Sequence, residues 1–423
     1  MSRFAHPTRR LFGGGIKGLA LALCAVGAGY AIVTQSLAVV LTEQAPELAH
    51  QLAPGNGRVS GAWARKMLEN DVADNQGGVT QLAERALLQD ATAVAAVGTL
   101  GLVAQLNGNA ARAARLFEYA ARLTRRDLPT ELWLIEDAVR QGNIPGALRH
   151  YDIALRTQPG AGEILFPVLA TASTDPAIAL SLTKTLQKKP LWSESFITYL
   201  AINTKSPVQT AGLFQQLSAS GVPVATTSRN ILVDRLLGTK PEAAWAFYRS
   251  FHPDADRHRS NDPYFTGSAD TPSQLDWVSI NDEGLSGTIQ RGADRGLFAF
   301  STAPTVGGVV LRQRLVLPPG SYRIEGESID LRPAANALPY WALSCMADGR
   351  ELGQVAVPPS ENGRGRFAGL VTVTNGCAVQ QLAFTIRPSE SVEGVTGQLS
   401  YVALRPVQGS NAASAASGGA RPK

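Results

Sequence analysis

The sequence predicts an α + β multidomain chain: an N-terminal transmembrane helix, an α-solenoid of helix–turn–helix repeats, and a C-terminal antiparallel β-sandwich of jelly-roll type. Three observations predict it. Gly18 to Leu41 contain no charged residue. The middle of the chain repeats with a period of 34 residues. From about residue 274 the apolar pattern changes from helical spacing to a period of two.

Composition sets the outer bounds. The 423 residues leave room for two ordinary domains and a tail, and 44% hydrophobic with 17% charged residues is a foldable mixture. The net charge of +5 is partly carried by the first 17 and last four residues. A nucleic-acid partner needs a basic face clustered on a folded element, so none is expected.

The uncharged run of residues 18–41 exceeds the roughly 20 residues a helix needs to cross a bilayer. Arg3, Arg9, Arg10 and Lys17 precede it; Glu43 and Glu47 follow, and the next cation is Arg58. The positive-inside rule then makes residues 1–17 a cytoplasmic basic leader. The chain would be a single-pass inner-membrane protein of bacterial type, with the lipid bilayer contacting residues 18–41 and its bulk periplasmic. Two processing alternatives stay open. Ser36-Leu37-Ala38 is a small-x-small site whose cleavage near Ala38 would release the protein to the periplasm. Thr8-Arg9-Arg10-Leu11-Phe12 resembles the start of a twin-arginine export signal. Residues 42–59 read as a linker.

The repeat array is expected over residues 60–252. Gly108-Asn109 is followed by Ala113, Phe117 and Ala120; Gly142-Asn143 is followed by Ala147, Tyr151 and Ala154, each at an offset of 34. Gly-Asn suits the turn between antiparallel helices, small Ala lets helices approach, and the aromatic between them fills the gap to the next unit. Asp175-Pro176, Ser206-Pro207 and Lys240-Pro241 each place Pro at a first helical turn. Leu82 to Leu88 read as the second helix of an earlier unit, giving five to six helix pairs. The pattern over 95–160 resembles the tetratricopeptide repeat. Leu100-Gly101 falls at that family's Leu-Gly pair and Pro159 at its closing Pro, while Val97 and Ile135 depart from its Trp and small-residue positions. The resemblance implies a concave surface that binds protein partners.

Residues 253–273, rich in Pro, His and Asp, read as a second linker, and 274–407 as the β domain. Nine short β-rich runs are expected, at 276–280, 297–301, 309–316, 321–331, 340–346, 351–357, 367–374, 381–387 and 399–405. Alternation sends Trp341, Leu343 and Cys345 inward and Tyr340 outward. Tyr340, Arg323, Arg387 and Glu325 are therefore candidates for one glycan-binding face. Architecture of this general kind resembles carbohydrate-binding modules, in which an exposed aromatic stacks on sugar and polar groups bond its hydroxyls. Cys345 and Cys377, two cysteines in one exported β domain, are expected to form a disulfide, the alternative being two buried thiols. Residues 408–423, of Gly, Ser, Ala and Asn with a basic end, are expected to be disordered.

No catalytic residue, cofactor or metal site is expected. There is no Gly-x-Ser-x-Gly elbow and no phosphate-binding loop. Glu325 and Glu327 share a strand face, where carboxylates more often form a solvated stripe than a facing catalytic pair. The leading expectation is a membrane-anchored scaffold or adaptor of the cell envelope. It would bind protein partners through its repeats and a polysaccharide through the β domain; an anchored repeat array joined to a sandwich resembles accessory proteins of exopolysaccharide assembly and export. A polysaccharide-modifying enzyme with a catalytic β domain and a purely structural protein are the alternatives.

Overall fold

The computed structural model describes residues 13–70, 76–267, 271–292, 294–334, 336–360, 363–389 and 394–407, with side chains from Leu19 onward. The predicted disorder of 408–423 and most of the basic leader lie outside the described residues. The chain divides into two compact units, Met1–Pro167 and Val168–Lys423.

The first unit begins with α1 (Gly13–Leu41). Its segment Leu19–Leu41 is the one helix among the described residues long and apolar enough to cross a membrane. The expected linker 42–59 is instead largely helical. Pro46 starts α2 (Pro46–Leu52), and α3 (Gly57–Asn70) follows after four intervening residues. Ala38, Ala49, Ala53 and Val59 pack together, and Asn56 donates to Gln35 Oε1 at 3.0 Å. The segment looked like a linker because it is short and has little apolar periodicity; small Ala side chains pack it against the end of α1.

Three helical hairpins follow. α3 pairs with α4 (Gln76–Gln89), α5 (Val94–Leu106) with α6 (Ala110–Leu123), and α7 (Leu128–Arg140) with α8 (Ile144–Thr157). The Gly-Asn motif does the same work twice. Gly108 and Gly142 adopt φ of 73° and 69°, a left-handed helix end that disfavours a side chain. Asn109 and Asn143 then donate their backbone N–H to Ala104 O and Ala138 O, each at 2.8 Å, closing the first helix. Their side-chain oxygens cap the second helix by accepting from Arg112 N and Gly146 N, each at 3.0 Å. Ala113, Phe117, Ala120, Ala147, Tyr151, Ala154 and Leu100 are all buried, and Pro159 lies in the exposed turn after α8. A Cβ on Gly101 would stand 2.7 Å from the Phe117 ring, so glycine makes the seat for that aromatic. Phe117 in turn stacks on Trp133, centroids 4.5 Å apart.

α9 (Ala161–Ala172) contains the division between the units, at its internal Pro167. The second unit continues with α10 (Pro176–Leu186), α11 (Ser193–Asn203), α12 (Pro207–Ala219), α13 (Thr226–Leu237) and α14 (Pro241–Phe251). Pro176, Pro207 and Pro241 open their helices as the sequence predicts.

Two five-stranded antiparallel sheets complete the second unit. One holds, in spatial order, β1 (Val278–Ser279), β4 (Gly308–Leu315), β9 (Gln380–Ile386), β6 (Tyr340–Cys345) and β7 (Glu351–Ala356). The other holds β2 (Leu285–Gln290), β3 (Leu297–Thr302), β10 (Val395–Pro406), β5 (Gly320–Ile329) and β8 (Arg364–Val373). Trp341, Phe384, Phe300, Ile324, Val371 and Leu399 fill the space between them. Cys345, ending β6, is bonded to Cys377 in the turn before β9, with Cα atoms 5.6 Å apart.

The second expected linker also belongs to the fold. Beyond Leu399, β10 is no longer paired with β3, and the preceding segment supplies bonds in its place. Val402 donates to Pro263 O and Ser260 to Leu404 O, at 3.0 and 3.1 Å. Phe265 inserts fully into the sandwich core. The stretch reads as a linker because its bonds are made to residues far along the chain and it brings one large apolar side chain only.

Candidate functional site

The four glycan candidates do not share a face. Tyr340 lies on β6, opposite Thr385 of β9 and Ala356 of β7, on the outer side of the first sheet. Arg387 follows β9, and its guanidinium carbon sits 4.7 Å from the Tyr340 ring centroid. Arg323 and Glu325 lie on β5, outside the second sheet. Alternation along β6 sends Trp341 inward, 0% exposed, and Tyr340 outward. The error arose because alternation separates the two sides of a strand and says nothing of which sheet the strand joins.

On the first sheet, Tyr340 is surrounded by small or hydrogen-bonding side chains. The register puts Thr385 and Ala356 beside it, Ala342, Ala383, Gln354 and Arg312 in the next row, and Ser344, Gln381, Glu351 and Arg314 in the row beyond. The Ala residues leave the aromatic standing over a low surface. Arg387 has an aromatic beneath it and no carboxylate ion pair among the described residues.

On the second sheet the polar groups satisfy one another. Glu325 accepts from the Tyr401 hydroxyl at 3.1 Å and pairs with Arg323 at 3.4 Å and Arg405 at 3.6 Å. Burial, reinforced by the bond to Glu325, pushes the Tyr401 phenol up to about 12. Glu327 pairs with Arg364 at 3.0 Å. Both carboxylates of the candidate acid pair are thus already engaged.

A third feature escaped sequence reasoning. Within the second unit, a cleft of 720 Å³ opens between the α13–α14 hairpin and the start of the β domain. Its rim and walls include Thr226, Arg229, Phe251, His252, Asn261 and Asp276. Polar bonds brace it: Tyr248 donates to Asp276 Oδ1 at 2.7 Å, Asn230 Nδ2 to Thr271 O at 2.7 Å, and Gln274 N to Asp234 Oδ1 at 2.7 Å. Burial, with the Asp276 charge beside it, raises the Tyr248 phenol far above its usual value. Burial also pushes the Asp234 carboxyl up, partly offset by the bonds from Gln274 and by Arg314. The cleft residues are spread over more than 60 positions and no local spacing announces them.

No protein-family model matches the chain, and no curated protein matches it. Solved structures do. The CBM22-1 xylan-binding domain of Paenibacillus barcinonensis Xyn10C is 12% identical, covering 34% of this chain and 92% of its own, with a TM-score of 0.24. The enzymatically active domain of bacteriophage CBA120 tailspike protein 4 is 12% identical over 31% of this chain, with a TM-score of 0.22; the match spans only 19% of that protein's length. Human IFIT1, a dimer with PPP-AAAA, is 17% identical, covering 54% of this chain and 64% of its own, with a TM-score of 0.25.

Proposed function

We propose that this chain is a membrane-anchored, non-catalytic binding protein of the bacterial cell envelope, whose β-sandwich holds an acidic polysaccharide on the outer face of the Tyr340 sheet. The observation that carries this reading is the stack of Arg387 on Tyr340 over a field of Ala, Thr, Gln and Ser side chains. A guanidinium held flat by an aromatic is oriented in advance, so little rotamer freedom is lost when its fork meets a carboxylate. The exposed part of the phenol ring is an amphipathic surface for a sugar. The amides and hydroxyls alongside can bond sugar hydroxyls. The helical hairpins fit a role in holding a protein partner, as tetratricopeptide-like units do, and together these make a scaffold of envelope or exopolysaccharide assembly. Binding is preferred to hydrolysis because Glu325 and Glu327 are both tied into ion pairs.

Affinity electrophoresis of the detergent-solubilised chain in gels containing polygalacturonate or alginate tests the reading. Retardation should weaken about tenfold in Tyr340→Ala and in Arg387→Gln, the loss of one good stacking or charge-assisted contact. Arg323→Gln, on the other sheet, should change nothing. Equal retardation of all four proteins would refute this face as the site.

A further inference from the structure

We infer that the cleft between the α13–α14 hairpin and the β domain is a second saccharide site, in which Arg229 receives the carboxylate of an acidic sugar residue. The inference goes beyond the Tyr340 face and rests on different residues. The Arg229 guanidinium carbon lies 4.4 Å from the Phe251 ring centroid, and one of its terminal nitrogens donates to Thr226 Oγ1 at 3.1 Å. Its Nε is buried without a hydrogen-bond partner. Among the described residues no carboxylate forms an ion pair with it. Burial accordingly lowers its pKa, with no opposing contribution from an acid.

Of the three acids that line the same cleft, Asp254 is exposed, and Asp262 and Asp276 are spoken for by neutral donors. Asp276 accepts from the Tyr248 hydroxyl, from Ser273 N at 3.0 Å and from Ser273 Oγ at 2.7 Å. Asp262 accepts from Thr266 N at 2.7 Å, Thr266 Oγ1 at 2.9 Å and Gly267 N at 2.8 Å. Arg229 thus brings to the cleft a charge and a buried N–H without a partner, and a partly buried cation without a counter-ion favours an entering anion.

Charge and shape narrow the ligand. A phosphate dianion would meet Asp254, Asp262 and Asp276, which outnumber the two guanidiniums of the cleft, Arg229 and Arg291, whereas a carboxylate carries one charge and matches the Arg229 fork. The volume accepts one or two sugar rings. His252, exposed at the rim, is stacked on Tyr248 with centroids 4.2 Å apart, which holds its ring as a flat wall against which a pyranose can lie.

Calorimetric titration of the full chain in detergent, with a galacturonate oligomer and its carboxyl-reduced neutral counterpart, tests the site. In a Tyr340→Ala background, residual binding of the acidic oligomer should persist and fall about tenfold on Arg229→Gln. Arg229→Lys should recover only part of it, since an ammonium lacks the fork, and the neutral oligomer should bind more weakly than the acidic one throughout. A second readout needs no variant: in the unmutated protein, galacturonate oligomers should protect Arg229 from phenylglyoxal, measured by peptide mass spectrometry. Undiminished reaction of Arg229 at saturating ligand, or residual binding indifferent to Arg229→Gln, overturns the cleft and leaves the Tyr340 face standing. Loss on Arg229→Gln with no effect of Tyr340→Ala sinks the Tyr340 reading instead and leaves the cleft.

Discussion

At the scale of single residues, the molecule places small side chains where large ones must land. Gly101 has no Cβ because the Phe117 ring occupies its place, and Gly287 of β2 is likewise roofed by Phe298, 2.8 Å from where a Cβ would stand. The first substitution pattern was legible, because the Leu-Gly pair recurs in a known repeat. The second hid a strand: Gly287 with two hydroxyl neighbours made Leu285–Gln290 look like a loop, and β2 was the one strand not anticipated. Asp234 gives a residue-scale prediction. Burial raises its folded pKa above the unfolded value, so between those two values the folded chain holds a proton that the unfolded chain has released. Its contribution to stability is therefore present at acid pH and declines as pH rises through that window. Asp234→Asn keeps an acceptor for Gln274 N and cannot ionise. Denaturant melts should show the variant matching the parent below the ordinary aspartate range and losing less stability above it; parallel pH profiles would show that Asp234 does not titrate differently on folding.

At the scale of elements, what was legible is what is local. Proline at a first turn, Gly-Asn at a helix–helix turn and alternation along a strand each act within a few residues, and Pro176, Gly108 and Trp341 all sit as their neighbours dictate. What was illegible is pairing across the chain: the segregation of β5 and β6 into different sheets, the bonds from residues 260–263 to β10, and the packing of α2 on α1. Two predictions belong here. Ala113 and Ala147 are buried where the second helix of a hairpin meets its first, so Ala113→Arg or Ala147→Arg must overpack that contact or bury a charge, at a cost of about 2 to 4 kcal/mol. Circular dichroism during urea unfolding should show a lost or earlier transition, and unaltered melts in both variants would refute the shared role. Breaking the Cys345–Cys377 bond with Cys377→Ser releases a loop spanning 32 positions and should cost about 3 kcal/mol on loop-closure grounds. Peptide mapping without reduction reads the bond itself, and the melt of the variant reads its worth.

At the scale of the whole chain, the anchor and the disulfide make one argument about place. A disulfide persists in an oxidising compartment, and under the proposed anchor the charge flanks of α1 would send everything after it to that same side, opposite the basic leader. The competing reading is cleavage after Ala38 during export, before the chain folds. Ser36-Leu37-Ala38 lies within α1, Ala38 is fully buried against Ala49 and Ala53, and Gln35 is bonded to Asn56. α1 leaves Leu21, Val26, Tyr30 and Val40 each about 70% exposed, a surface that water disfavours and lipid would accept if the helix is retained as the proposed anchor. The protein should therefore sediment with the inner membrane and stay there through alkaline carbonate and high salt, which remove proteins held by charge alone. Its Cys345 and Cys377 should resist alkylation until reduced, while Cys24, within the bilayer segment, should react only after detergent is added. A soluble mature form beginning at Val39 would replace the anchor with a cleaved signal, and free thiols at both Cys345 and Cys377 in protein taken from cells would place the β domain on the reducing side.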